Sequence, residues 1–395
     1  MRRIPTAVYL AIGVALCVGL DFAYDFAVDW DRAYKFWLTI LVICAINVLG
    51  ATSLNVVNGM AGQFSIGHAG FIGLGAYVGG WMAANVALFT KIPIDDLHDN
   101  LTLTQSLWMM PIVFVAVAAV CALVGFIVGL PSLRLRGDYL AIVTLGFSEI
   151  LRLTILGTVA DSAHNPITKA IASLGGSLGY RGPAVGEDFT GIPSVAGPFW
   201  IVGTAALAVF LAYRVKRSGF GRALRAVRED EIAASAVGVD PAKYKVTAFV
   251  LAAVGAGLAG ALLVVRRDGP GIVSPANMKF DKSFEAITMV ILGGSGSVTG
   301  TAVGAVLYTV IFYASEEALL RLSRSYVMFA NIDAAALRMT LFAMALIIVM
   351  LVRPEGLFGE REVWEKRGPS VKPPGPNAQK PKVPGPQDVR GEIAG

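Results

Sequence analysis

Few residues in this sequence are placed to do chemistry, and most of them stand in apolar surroundings. Glu149 and Arg152 lie three positions apart inside the apolar run 139–159. On a helix that spacing puts both on one face, where they can pair. An ionisable residue at membrane depth is a functional hypothesis in itself, here the binding of the charged ends of an amino acid. A structural bridge near the interface would satisfy the two charges equally well, and both readings stay open. Gln63, Ser65 and His68 cluster in 61–77, AGQFSIGHAGFIGLGAY. They offer polar contacts along a solute path, or they hydrogen-bond backbone groups freed near the glycines, as polar groups in a membrane must. A third candidate is Gly293, Gly294 and Ser295, which open the non-helical stretch GGSGSVTG between two apolar runs.

Other chemistries find no footing. His68, His98 and His164 stand in separate regions, and Cys17, Cys44 and Cys121 fall inside apolar runs without metal-ligand spacing. The cysteines therefore read as core or lipid-facing thiols, and no metal site is expected. No Gly-Lys dipeptide occurs, which excludes a P-loop in this chain. The chain reads as a non-enzyme, with no catalytic residue and no cofactor.

The elements that must position these residues are transmembrane helices. Of 395 residues, 55% are hydrophobic and 15% charged, and mean hydropathy is +0.65, whereas soluble domains are about 25% charged. An all-α, polytopic membrane protein follows. Eight spans are expected, at 8–20, 36–57, 66–89, 109–130, 139–159, 199–213, 245–265 and 336–352. Most are near the roughly 20 residues a helix needs to cross the hydrocarbon core. Arg2-Arg3 before 8–20 imitates a signal peptide, but no small-x-small site follows, so the segment reads as a retained span.

Lys and Arg set the orientation. Arg2, Arg3, Arg134, Arg136, the cluster 214–228 and Arg353 mark the cytoplasmic side, and the Asp- and Glu-bearing loops fall outside. Both termini come out cytoplasmic. The basic residues sit in short loops rather than along one face, so nucleic acid is not an expected partner. Within 284–313, two half-helices meeting at mid-membrane and returning to the same face would keep Arg353 inside, and this re-entrant pair is the expectation. Ala252, Ala256 and Gly260, with Ala253, Gly257 and Ala261, form small-residue rows suited to close helix packing. The outer loop 160–198 is long and rich in Gly and Pro, so it is either disordered or a docking surface. Residues 359–395 are Pro- and charge-rich and read as a disordered cytoplasmic tail beyond a transmembrane domain at 1–358.

One polar island interrupts the pattern: 218–245, SGFGRALRAVREDEIAASAVGVDPAKYK. Residues 222–237 read as one amphipathic helix, with Ala223, Leu224 and Val227 opposed to Arg222, Arg225, Arg228, Glu229 and Asp230. Gly238 suits its C-cap, and Asp240-Pro241 an N-cap followed by proline at the first helical position. The helix is too short to span. It suits a contact with another protein, or it lies on anionic lipid.

The residues from Glu231 through Ala233 and Ala234 to Gly238 resemble the E-A-A-x-x-x-G coupling loop of ABC-importer permeases, with Ile232 inserted. Three further blocks extend the likeness. Residues 62–77 match G-x-x-S-x-G-H-A-x-F-x-G-x-G-A-Y, 136–153 read RGDYLAIVTLGFSEILRL, and 284–304 are joined by RPEGLFG at 353–359. Together they cover most of 55–359 and are similar to the branched-chain amino-acid permeases, the LivM-type subunits above all. The resemblance implies an ABC importer permease fold and a subunit that moves branched-chain or related amino acids across the bacterial inner membrane. Arg222, Arg225, Glu231, Ala233, Ala234 and Gly238 would seat in a cleft of the ATPase. The implied partners are a homologous second permease, two ABC ATPase subunits and a periplasmic substrate-binding protein. Gln63, Ser65, His68, Glu149, Gly293, Gly294 and Ser295 are the candidates along the translocation path. One departure is the outer loop, where the family's T-G-G-x-x-G element gives way to a longer insertion and a bare Thr190-Gly191-Ile192-Pro193. A urea or short-chain amide permease would share all four blocks. An ion-coupled carrier acting alone would need Glu149 as its coupling site and would leave the island unexplained.

Overall fold

The computed structural model describes residues 15–24, 32–90, 103–132, 138–157, 174–185, 188–189, 191–267 and 269–325, with scattered positions from 340 to 362. The first helix, α1 (Ala15–Tyr24), is short. It is followed by α2 (Arg32–Asn55), α3 (His68–Phe89), α4 (Leu103–Ser132) and α5 (Asp138–Leu156). Next come α6 (Pro198–Arg217), α7 (Gly219–Glu229), α8 (Glu231–Ala236) and α9 (Pro241–Val265). The last described helices are α10 (Phe280–Gly293) and α11 (Val298–Ser325). Seven helices among the described residues are long and apolar enough to cross a membrane: α2 to α6, α9 and the first part of α11. Most of the expected spans 8–20 and 336–352 lies outside the described residues, and the other six expected spans are all helical.

The spans start and stop where local chemistry dictates. Pro198 and Pro241 occupy the first turns of α6 and α9, where a missing N–H costs nothing. Pro111 sits inside α4, a position tolerated in a helix packed among others in a membrane. At the centre, α9 packs on α2, α3, α4 and α7. Small residues permit this. A Cβ on Gly75 would strike the Gly257 backbone, and one on Gly260 would strike the Ile72 carbonyl, so α3 and α9 meet backbone to backbone.

Two expectations are corrected here. The island does not hold one helix over 222–237: the chain leaves helical geometry at Asp230 (φ −158°, ψ 114°) and restarts as α8. Nor do α10 and α11 form two half-helices meeting at mid-membrane. Helix α11 has 28 residues, about 42 Å, enough to cross, while α10 has 14, about 21 Å. Their joint at 294–297 lies at the end of the bundle that carries α7. Gly59, whose carbonyl accepts from Arg228 Nη1 at 2.7 Å, abuts Gly296 there. Gly/Ser punctuation in the sequence locates the break along the chain but carries no depth, which is why the expectation erred.

At the opposite end, the described half of the long loop is stitched to the chain that follows α9. Tyr180 and Val273 exchange two backbone hydrogen bonds of 2.9 Å, and Ala196 bridges Val265 and Arg267 at 2.8 and 2.9 Å. A two-residue hairpin, β1 (Ala184–Val185) with β2 (Asp188–Phe189), decorates it. Asp21 lies 3.7 Å from Arg267 and accepts from the Phe199 amide at 3.4 Å, so α1 is tied to the start of α6.

The chain divides into compact units at Val363. Glu362, which composition assigns to the tail, is 3% exposed and belongs to the first unit. Residues 364–395 lie outside the described residues.

Candidate functional site

The polar island is built from its caps upward. Ser218 leaves α6 extended and its Oγ accepts from the Gly221 amide at 3.3 Å, capping α7. Gly221 then lies directly on the Val215 and Lys216 carbonyls. Ala223, Leu224 and Val227 are buried. Leu224 joins an apolar cluster with Val56, Val57, Ala212, Ala248, Phe249 and Val298, and burying a side chain of this size contributes about 1.5–3 kcal/mol. Asp230 ends α7 and starts α8, its Oδ1 accepting from Ile232 and Ala233 amides at 2.8 and 3.0 Å. Gly238 closes α8 at φ +86°, a conformation that favours glycine. The Val239 amide donates to Ala234 O and the Gly238 amide to Ser235 O, both at 3.0 Å. These are the two bonds of a Schellman cap. Asp240 then caps α9 by accepting from Ala242 at 3.0 Å and Lys243 at 3.3 Å.

The outward face of this turn is a mixed surface. Arg222, Arg225, Glu231, Ala233 and Gly238 are exposed and Ala234 is buried. Ile232 and Val237 are 78% and 77% exposed, two large apolar side chains on a charged rim. Arg222 Nη1 donates to Arg217 O at 3.1 Å, and Arg225 Nη2 to Lys216 O at 3.3 Å. Glu231 pairs with Lys245 at the base of α9.

The path candidates fall in three places. Ser65 and His68 line one small pocket with Leu54, Val57, Phe71, Phe249, Ala252 and Ala253, between α2, α3 and α9. His68 Nε2 lies 3.0 Å from Gly50 O and 3.3 Å from Ser53 Oγ. A carbonyl only accepts, so the network assigns the proton to Nε2. Gln63 is buried nearby, its amide donating to Val57 O at 3.1 Å. Glu149 is not among the residues that line this pocket, and it takes a bidentate pair from Arg152, with Nε at 2.9 and 3.0 Å from its two oxygens. Gly293 and Gly294 are buried at the α10–α11 joint, while Ser295 is exposed.

Four residues organise that joint, none of them among the site candidates named from the sequence. Asn55 is fully buried and mimics a strand partner. Its Oδ1 accepts from the Gly296 amide at 2.8 Å and its Nδ2 donates to Ser297 O at 3.0 Å. Arg228 reaches Gly59 from α7. Lys216 Nζ, at the end of α6, pairs with Glu362 at 2.5 Å. Glu362 also accepts from the Val298 amide at 3.0 Å, the Thr299 amide at 2.9 Å and the Thr299 hydroxyl at 2.5 Å. Burial alone would push the Glu362 carboxyl up, but these donors outweigh it and hold it below the usual range. The neighbouring Leu357 and Phe358 amides donate to Leu292 O at 3.0 Å and Gly293 O at 3.2 Å. Leu357, Phe358 and Glu362 thus satisfy both the last carbonyls of α10 and the first amides of α11. The GGSGSVTG break and the RPEGLFG segment pointed to the joint, and an asparagine at the end of an apolar run was the sequence signal for its clasp.

Among the described residues, seven membrane-length helices with a short amphipathic helix at their basic end make this a multi-pass integral membrane protein. Residues 36–352 match the family described as branched-chain amino acid transport system / permease component, and the chain belongs to that family. It is 33% identical over 359 residues to the high-affinity branched-chain amino acid transport system permease protein LivM of Escherichia coli K12, covering 87% of this chain and 73% of that protein. The probable LivM of Methanocaldococcus jannaschii is 27% identical over 79% of this chain and 90% of its own length. LivH of Salmonella typhimurium is 32% identical over 181 residues, 45% of this chain and 52% of that protein. No solved structure matches.

Proposed function

We propose that the chain is the LivM-type permease subunit of an ATP-driven importer of branched-chain or related amino acids. The observation that carries the reading is the α7–α8 turn. Its inner face is packed into the bundle, while Ile232 and Val237 stand exposed among Arg222, Arg225 and Glu231. An apolar pair inside a charged rim is the composition of a docking surface, and its place in the sequence is that of the family's coupling loop. The partner there is an ABC ATPase subunit, since this chain has no Gly-Lys dipeptide to complete a P-loop. A second permease completes the pathway, and a periplasmic binding protein delivers solute. The family relatives that are named LivM and LivH support the pairing of two permeases. The basic end faces the cytoplasm of the inner membrane, in keeping with Arg214, Lys216, Arg217, Arg222, Arg225 and Arg228 gathered there, and both termini lie on that side. Closure of the ATPases moves α7 and α8, and the bundle opens alternately to each side. Solute selectivity then rests with the binding protein, in accord with the small apolar pocket at Ser65 and His68.

The test is ATP-dependent uptake of radiolabelled leucine by proteoliposomes holding the full complex. Uptake should require ATP and fall at least tenfold in Glu231→Ala and Gly238→Asp with the subunits still assembled; tenfold corresponds to about 1.4 kcal/mol. Leucine uptake by this chain alone, driven by an ion gradient, would overturn the reading. Uptake of urea in place of leucine would change the solute and keep the coupling.

A further inference from the structure

The contact between Lys216 and Glu362 lies between the two moving parts that this mechanism needs. Lys216 is the penultimate residue of α6, two positions before the Ser218 cap of α7. Its carbonyl accepts from Arg225, which fastens α7 to it. Its ammonium group is buried against the carboxylate of Glu362, whose oxygens receive the first two amides of α11. A carboxylate at a helix N-terminus is held by both the free N–H groups and the helix dipole, so Glu362 moves with α11. A second line runs alongside: Arg228 holds Gly59, Gly59 abuts Gly296, and Asn55 clasps Gly296 and Ser297. The α10–α11 joint is therefore gripped on two sides, by Lys216 at the end of α6, to which α7 is fastened, and by Arg228 of α7 through Gly59.

We propose that the Lys216–Glu362 pair is the contact that transmits movement of the docking helix α7 to the α10–α11 hairpin, with both side chains acting as positioning residues. The proposal rests on the permease reading above. Breaking a single packed helix contact would leave α7 free to shift without α11. An ion pair that is buried and also hydrogen-bonded into the helix cap makes slippage costly, because it strands a charge on each side. Energetic coupling between two sites needs such an element with differential contacts in two states.

The experiment uses the reconstituted complex with both permeases, the ATPases and the binding protein, and measures solute taken up per ATP hydrolysed. Lys216→Met and Glu362→Gln should each lower that ratio by about five- to 150-fold, the usual span of a coupling interaction, with ATP hydrolysis retained. The double variant should fall no further than either single one, since both break one contact. Lys216→Arg should keep the ratio near that of the wild type. Lys216→Gln, a milder change that removes the charge and keeps a donor, serves where the larger change prevents assembly. An unchanged ratio in any assembled charge-removing variant would overturn the proposal, as would a double loss equal to the product of the single losses. A wild-type complex that takes up no solute with ATP would instead remove the permease reading itself, and the proposal with it.

Discussion

Two of the carboxylate–cation pairs on this bundle differ in almost every respect that matters. Glu149 and Arg152 are one turn apart on α5, and both side chains retain partial exposure, 36% and 18%. Arg152 lies four residues from the end of its helix, about 6 Å, where a long cationic side chain reaches the interface. Lys216 and Glu362 are separated by 146 residues, are both buried, and join the end of α6 to the start of α11. The first pair satisfies itself and could be lifted out with its helix. The second exists only when the C-terminal segment has folded back onto the hairpin. A charge in the apolar part of a sequence is easy to notice, yet here the pair that ties elements together lies just outside the apolar runs.

The comparison can be broken from its strong side first. Glu362→Ala strands a buried ammonium and uncaps α11, and should cost about 3–5 kcal/mol, seen as a large drop in Tm of the purified protein. Equal Tm values for variant and wild type would show that the cap contributes nothing. Asn55→Ala leaves the Gly296 amide and Ser297 carbonyl without their partner and should cost about 1–3 kcal/mol, with the joint at 294–297 exchanging amide hydrogens faster. Acid offers a third approach. The folded-state pKa of Glu362 is depressed, so its contribution is complete above the ordinary glutamate range and is lost as pH falls through the depressed value. The Tm gap between wild type and Glu362→Gln should hold from neutral pH down to that range and shrink below it; a gap that widens on acidification would refute the assignment. The smallest effect belongs to α5. Arg152→Gln should cost at most about 1 kcal/mol, and the same variant separates structure from function there, because a solute-binding role would lower uptake with Tm unchanged.

The corrected elements show what kind of information a sequence carries. The apolar runs marked six described spans within a few residues, because a helix in lipid must satisfy its own backbone and the length needed to cross is set by the bilayer. Gly238 and Asp240-Pro241 were legible as caps because a cap depends on neighbouring residues alone. The break at Asp230 was missed even though it too is local: Asp230 and Glu231 continue an amphipathic pattern, and only the observed Asx cap shows that the aspartate turned outward to start α8. The hairpin joint failed differently. Its glycines announced a break and could not say at which depth it lies or what would fill it.

What the amino-acid sequence determined by itself was therefore the class of molecule, the position of its spans, the polar island with most of its caps, and the likeness to a permease family. The first three follow from hydrophobicity, helix period or turn chemistry, which act over a few residues, and the likeness rests on the match of four motif blocks residue by residue. The tertiary structure alone decided that α10 and α11 meet at the basic end, that Asn55 clasps their joint, and that Lys216 and Glu362 find one another. Those contacts join residues up to 242 positions apart. Whether a lysine or a glutamate is solvated or buried against a partner is set by how the helices pack, and no local pattern records it.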